Sequence, residues 1–215
     1  MTRGLFITLE GVEGSGKTTQ ARILADSLRA AGRIASVTHE PGATRAGEAI
    51  REIFLDPEVS LEVPAELMLV LADRAQHVCE KLRPAVEAGE IVISDRYSDS
   101  TVAYQGYGRG FDLAMLRQLN LLVTGAMVPD LTIVLDCAAD TGIARTRERV
   151  KGKEHRFDRF EGERMEFHRR VRNGFLAIAK EEPHRVKVIN SERPLESVRA
   201  DIMAVVRGLI ERKCL

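Results

Sequence analysis

Near the start of the chain, Gly11-Val12-Glu13-Gly14-Ser15-Gly16-Lys17-Thr18 carries the spacing Gly-x-x-x-x-Gly-Lys-Thr. That spacing suits the holding of a phosphate chain. Glycines let a loop curl until successive backbone N–H groups point inward, and a helix starting at the end of the loop adds about half a positive charge from its dipole. Gly11, Glu13, Gly14, Ser15, Gly16, Lys17, Thr18 and Thr19 are the expected contacts to that phosphate chain. Lys17 is placed to reach the β- and γ-phosphates, and the Thr18 hydroxyl to ligate the Mg²⁺ that bridges them.

A second group lies in Ile91-Val92-Ile93-Ser94-Asp95-Arg96-Tyr97. An aspartate at the carboxyl edge of a strand beside the first loop orients Mg²⁺ or its water, or else caps a turn; Arg96 next to it suits bidentate binding of a second phosphate. If the acceptor is itself a phosphate monoester, its oxygens are already ionised at pH 7, because the second pKa is about 6. No general base is then required, and the difficulty is to bring two polyanions together. The cations Arg147, Arg149, Lys151, Lys153, Arg156 and Arg159 form a run between two helices that reads as a lid over 147–159. Arg164, Arg169, Arg170 and Arg172 read instead as a solvated helix face.

The elements that must position these residues alternate short apolar β-rich runs with stretches of helical period, the signature of βαβ units around a parallel sheet. Strands are expected over 5–9, 34–38, 91–94, 131–135 and 186–189, nearly continuous in apolar residues as strands covered on both faces are. Helices are expected over 18–31, from 64 through 82 and onward to 88, and over 112–123, 140–147, 162–181 and 195–213. The segments 98–110 and 147–159 read as irregular. The fold class is α/β: a P-loop kinase fold, five parallel strands with helices on both faces, in one domain over 1–215.

Composition agrees. The 215 residues are 44% hydrophobic and 30% charged, and 32 Lys+Arg balance 32 Asp+Glu, so no single-sign field recruits nucleic acid or an anionic membrane. The longest uncharged stretch, 118–129, is too short for a membrane helix, and the N-terminus has no signal-type apolar region, which predicts a cytoplasmic protein. Cys79, Cys137 and Cys214 are odd in number and without a CxxC pair, so they read as packing or surface residues. No Asp is followed by Gly three positions later and no Lys follows an Asn, which excludes the switch and guanine-reading motifs of GTPases; an LSGGQ transporter signature is missing too.

Taken in order, 9–20, Glu40-Pro41-Gly42, Ala72-Asp73-Arg74-Ala75-Gln76-His77, Asp95-Arg96-Tyr97 and Ala103-Tyr104-Gln105-Gly106 resemble thymidylate kinase, the dTMP kinase family, over essentially the whole chain. The resemblance implies transfer of the ATP γ-phosphate to dTMP, with Mg²⁺, in a homodimer. It implies further that Arg96 and Arg51 grip the acceptor phosphate, that Arg74 bonds the thymine edge, and that Thr101 and Gln105 contact the base or hold its pocket. Glu40, Val70 and Tyr104 belong to the same dTMP site, and Glu13 sits near the sugar 3′-hydroxyl. Members with an acidic residue and no arginine in this part of the loop draw a catalytic arginine from the lid, which here points to Arg149 and Arg156. The catalytic set is then Lys17, Arg96, Arg149 and Arg156, with Thr18 and Asp95 on the metal.

Two positions depart from the family pattern. Val70 stands where a phenylalanine commonly stacks on thymine, a contact typically worth about 1–3 kcal/mol, so dTMP binds more weakly or a side chain such as Tyr104 compensates. Asn190 stands where an aspartate is more usual. Phe54, Leu55, Met68 and Met115 read as core or dimer interface. The residues alone leave two alternatives open: a P-loop kinase for a deoxynucleoside or another monophosphate, and a regulatory module that holds ATP without transferring it.

Overall fold

The computed structural model describes residues 3–150 and 158–213, with no side-chain account at 149 and 150. Among the described residues the sheet is five-stranded and wholly parallel, in the order β2-β3-β1-β4-β5. The strands are β1 (Leu5–Glu10), β2 (Ala35–His39), β3 (Ile91–Asp95), β4 (Leu131–Asp136) and β5 (Val186–Asn190). Each lies within one residue of its expected span. The sheet turns about β1, which pairs with β3 on one side and β4 on the other, so the crevice at its carboxyl end opens beside the loop that follows β1.

Alternation along β1 divides the core. Leu5, Ile7 and Leu9 pack with α1 (Lys17–Ala30) and α9 (Leu195–Arg212) through Leu24, Leu28, Ile202 and Val206. Phe6 points the other way, against Val78, Leu82 and the edge of the Tyr97 ring. Thr8 joins Thr132 by a buried hydroxyl bond of 2.8 Å, so that neither hydroxyl is left unpaired.

Two helices depart from the sequence expectation. The first, α2 (Arg45–Leu55), is capped by the Thr44 side chain, which accepts the Gly47 N–H, yet it buries only Gly47 and Phe54. A helix that presents so little apolar surface leaves almost no periodic trace. The segment 98–110 is also helical, as α5 (Ser98–Thr101) running into a π-turn at Val102–Gly108. Its glycines look like loop punctuation but serve close packing. A Cβ at Gly106 would lie 2.5 Å from Leu113 Cδ2, and one at Gly108 would lie 2.6 Å from Phe167 Cε2.

The long helical pattern after Pro64 is α3 (Val63–His77), a π-turn at Val78–Leu82, and α4 (Arg83–Glu87). The π-turn ends two residues before Pro84, where a helix must adjust its hydrogen-bond ladder to the missing N–H. The remaining helices are α6 (Leu113–Thr124), α7 (Ala139–Val150) and α8 (Met165–Glu181). Since α7 reaches Val150, the first residues of the expected 147–159 lid are helical, and 151–157 lie outside the described residues.

Candidate active site

A cavity of about 550 Å³ opens at the carboxyl edge of the sheet, walled by the loop after β1 and the start of α1, by the ends of β2 and β3, by α2, α3 and α5, and by Asp158, Phe160 and Glu161. Of the expected phosphate contacts, Glu13, Gly14, Lys17 and Thr18 line it; Gly11, Ser15, Gly16 and Thr19 form the rest of the loop and the start of α1 without facing it. Lys17 folds back into the loop, donating to the carbonyls of Gly11 (3.1 Å) and Val12 (2.8 Å) and to Ser15 Oγ (3.3 Å). Burial pushes its ammonium down to about 8, against the pull of Asp95, Glu13 and Glu10. The Thr18 hydroxyl donates to Asp95 Oδ2, so the two oxygens expected at the metal meet at the mouth of the loop.

Arg96 sits at φ +73°, a left-handed backbone that non-glycine residues seldom adopt, and this turns its side chain back across the loop. Its guanidinium donates to Gly11 O (3.0 Å), Ser100 Oγ (3.2 Å), Glu13 Oε1 (3.2 Å) and Tyr104 Oη (3.0 Å). Beneath it, Glu10 accepts from the Tyr97 N–H and the Ser100 hydroxyl, and burial, reinforced by Asp99, raises its carboxyl to about 8. Arg51 lies alongside, donating to Pro41 O at 2.7 Å, with Asp158, Arg96 and Asp95 facing it. The Arg51 side chain passes directly over Gly42, where an added Cβ would lie 2.6 Å from its Cδ. Gly42→Ala is therefore expected to displace Arg51 and raise KM for a phosphate acceptor about tenfold, the equivalent of one charge-assisted hydrogen bond. KM for ATP should stay unchanged; equal rises in both would remove Arg51 from the acceptor end.

Arg74 is 1% exposed and nearly saturated. It donates to Glu40 Oε2 (2.8 Å), Thr101 Oγ1 (2.7 Å), Asn120 Oδ1 (2.6 Å) and Tyr97 O (3.0 Å), which leaves one of its five N–H groups for a ligand. Glu40 also takes His77 Nδ1 at 2.9 Å, and His77 Nε2 meets Thr38 Oγ1 at 2.7 Å, so the arginine is anchored through to β2. Gln105 donates to Glu66, which also holds Arg109 and Arg159. Val70 lines the cavity with Thr101, Tyr104 and Gln105.

Some cavity-lining residues escaped the sequence reading. Phe54, expected as core or interface, is a core residue that also lines the cavity, its ring 5.2 Å from Phe160, which in turn meets Tyr104 edge-on at 5.5 Å. Met68 and Met115 are about half exposed and take no part in the core. Asp158 falls in the charge-rich stretch read as lid and Phe160 just beyond it; Asp158 Oδ1 accepts the N–H groups of Phe160 and Glu161, and an Asp two and three residues before them was the available signal. Arg159 is a clasp and not a free cation, donating to Phe54 O (3.1 Å) and Glu66 (2.8 Å). Arg156 and the side chain of Arg149 lie outside the described residues. Of the later arginines, Arg164, Arg169 and Arg170 are exposed as expected, Arg170 also bonding Gly108 O, whereas Arg172 is half-buried and holds Asp136 in a fork (2.7 and 2.9 Å), which corrects the solvated-face expectation for that residue. Asn190 Oδ1 accepts the Glu192 N–H, forming the turn after β5.

Glu13 accepts from the Tyr104 hydroxyl and Arg96. Burial raises its carboxyl, but His168, Arg96, Lys17 and Tyr104 outweigh burial and bring it down to about 2. Because the unfolded chain takes up the proton first, stability linked to Glu13 is complete above its ordinary value of 4.5 and drains away as pH falls toward about 2. Thermal unfolding from pH 6 to pH 3 should thus fall less steeply for Glu13→Gln than for the wild type; parallel curves would contradict the linkage.

Comparison with known proteins places these features in context. The family model described as thymidylate kinase matches residues 9–202. The chain is 50% identical over 206 residues to the thymidylate kinase of Deinococcus radiodurans, covering 96% of this chain and 98% of that one. It is 47% identical over 209 residues to the thymidylate kinase of Solidesulfovibrio magneticus, covering 96% and 100%. Among solved structures, that of thymidylate kinase from Ehrlichia chaffeensis superposes with a TM-score of 0.77 at 35% identity, over 96% of this chain and 99% of that one.

Proposed function

The chain belongs to the thymidylate kinase family and is a phosphotransferase that carries the γ-phosphoryl group of ATP to dTMP, giving dTDP; we propose the following division of labour among its residues. The observation that carries it is the convergence, in one cavity, of Lys17 and Thr18 from the β1 loop with Arg51, Arg74 and Arg96 from three other elements. Lys17 holds the ATP phosphates together with the backbone N–H groups of residues 11–19. Arg96 and Arg51 hold the dTMP phosphate. Arg74, fixed by Glu40, offers its last N–H to thymine, with Thr101 and Gln105 beside it and Glu13 at the sugar.

Val70 brings no ring to the pocket, and the aromatic faces of Phe54, Tyr104 and Phe160 supply apolar contact in its place. Since the dTMP phosphate needs no deprotonation, the protein's task is positioning and charge neutralisation. Arg149 and Arg156 add charge from the lid segment at the transition state.

Thr18 and Asp95 are the residues that would hold Mg²⁺. Two oxygens at the phosphate end fit a hard cation that takes its other ligands from water and substrate phosphates. Among the described residues no cluster of three or more His, Cys, Asp or Glu competes for it. When bound, Mg²⁺ neutralises charge on the β- and γ-oxygens. The protein acts in the cytoplasm as a homodimer, for which the exposed Met68, Met115, Leu121 and Leu122 of α3 and α6 are the contact surface. No described helix is long and apolar enough to cross a membrane.

The test is phosphate transfer from ATP to dTMP, dUMP, UMP, CMP, AMP and GMP side by side, with and without Mg²⁺. dTMP should be strongly preferred, and no acceptor should react without the metal. Preferential transfer to another monophosphate would overturn the assignment of Arg74 and its neighbours to thymine.

A further inference from the structure

His168 lies on the buried face of α8, 1% exposed, its ring edge-on to Phe167. Neither of its ring nitrogens has a hydrogen-bond partner, although Nδ1 is 3.3 Å from Glu13 Oε2. That oxygen is also without a hydrogen-bond partner, because Tyr104 and Arg96 both bond the other oxygen, Oε1. Two facing polar groups buried without hydrogen bonds are costly unless a slight movement joins them. Here a few tenths of an ångström and a small rotation suffice, and a carboxylate at that nitrogen selects the tautomer with hydrogen on Nδ1.

The arrangement has a consequence once Arg96 turns to the acceptor phosphate. Glu13 then keeps Tyr104 on one oxygen, and among the described residues His168 alone is placed to bond the other. We propose that His168 is a positioning residue for the transfer to dTMP: its Nδ1–H holds Glu13 Oε2 and so fixes the carboxylate with its remaining lone pairs toward the sugar hydroxyl of the acceptor. This rests on the reading that dTMP occupies the cavity with its sugar at Glu13. The downward shift of the Glu13 carboxyl, to which His168 is the largest favourable contributor, agrees with it.

The test compares wild type, His168→Leu, His168→Asn and His168→Gln for kcat and KM with dTMP, 3′-deoxy-dTMP and ATP, alongside thermal unfolding. Asn places its amide nitrogen where Nδ1 stands, whereas Gln places it nearer Nε2. The expected result is that His168→Leu and His168→Gln lower the kcat/KM preference for dTMP over 3′-deoxy-dTMP about tenfold, with KM for ATP unchanged. His168→Asn should recover most of the preference, which a role in packing alone would not produce. Should Leu fail to fold, the contrast between Asn and Gln decides. Retention of the preference in Gln, or equal loss in Asn and Gln, overturns the proposal. A wild type that phosphorylates dTMP without distinguishing the 3′-deoxy analogue overturns it too, whereas one inactive on dTMP overturns the acceptor reading beneath it.

Discussion

Replacing Lys17 by alanine is expected to lower kcat with dTMP about 10³-fold, the upper range for removing one preorganised charge from a site where charge develops. The fold should survive, because among the described residues Lys17 bonds only the Gly11 and Val12 carbonyls and the Ser15 hydroxyl of its own loop. Stopped-time assays and thermal unfolding on the same preparation separate the two effects. The lysine also predicts a pH signature. With its ammonium near 8 in the protein alone, ATP binding must take up a proton above that pH, so KM for ATP should climb there in the wild type. The climb should be absent from the Lys17→Ala variant. Turnover near the wild-type level would remove the loop from the chemistry.

Arg96→Ala should reduce kcat/KM for dTMP by about 10²–10³-fold, as expected when one partner of a buried charge-assisted network is truncated. Two losses combine. The acceptor phosphate loses its fork, and Glu13 and Glu10 lose the cation that lies between them. Arg96→Lys should recover only part, since an ammonium cannot reproduce bidentate geometry and the left-handed backbone at this position aims the side chain for a planar fork. KM for ATP should change by less than about threefold, because Arg96 touches the loop only at Gly11 O and Glu13. Equal losses for ATP and dTMP would falsify the assignment of Arg96 to the acceptor.

The two arginines proposed for the acceptor end were not equally visible in the sequence. Arg96 was legible because it follows a buried strand directly, so its place at the sheet edge needs only the strand. Arg51 was not legible from pattern alone. Its helix, α2, buries too little for a period to show, and the residue entered through family resemblance. Asp158 and Arg159 look alike in a charge-rich stretch, yet one faces the cavity and the other clasps Glu66 and Phe54 O.

What the sequence by itself determined was the local and periodic part of this protein. The phosphate loop is written in adjacent residues because a curled backbone needs glycine at set spacings, and the strands are written in apolar runs because both faces of the sheet are covered. Tertiary structure alone decided the contacts between distant segments. Gly106 and Gly108 proved to be close-packing positions within a helix, Phe54 and Phe160 met in the cavity wall, and His168 came to face Glu13 from a helix more than a hundred residues away. Pairings of that kind depend on how layers stack, and no spacing along one chain encodes which side chain lies on the opposite layer.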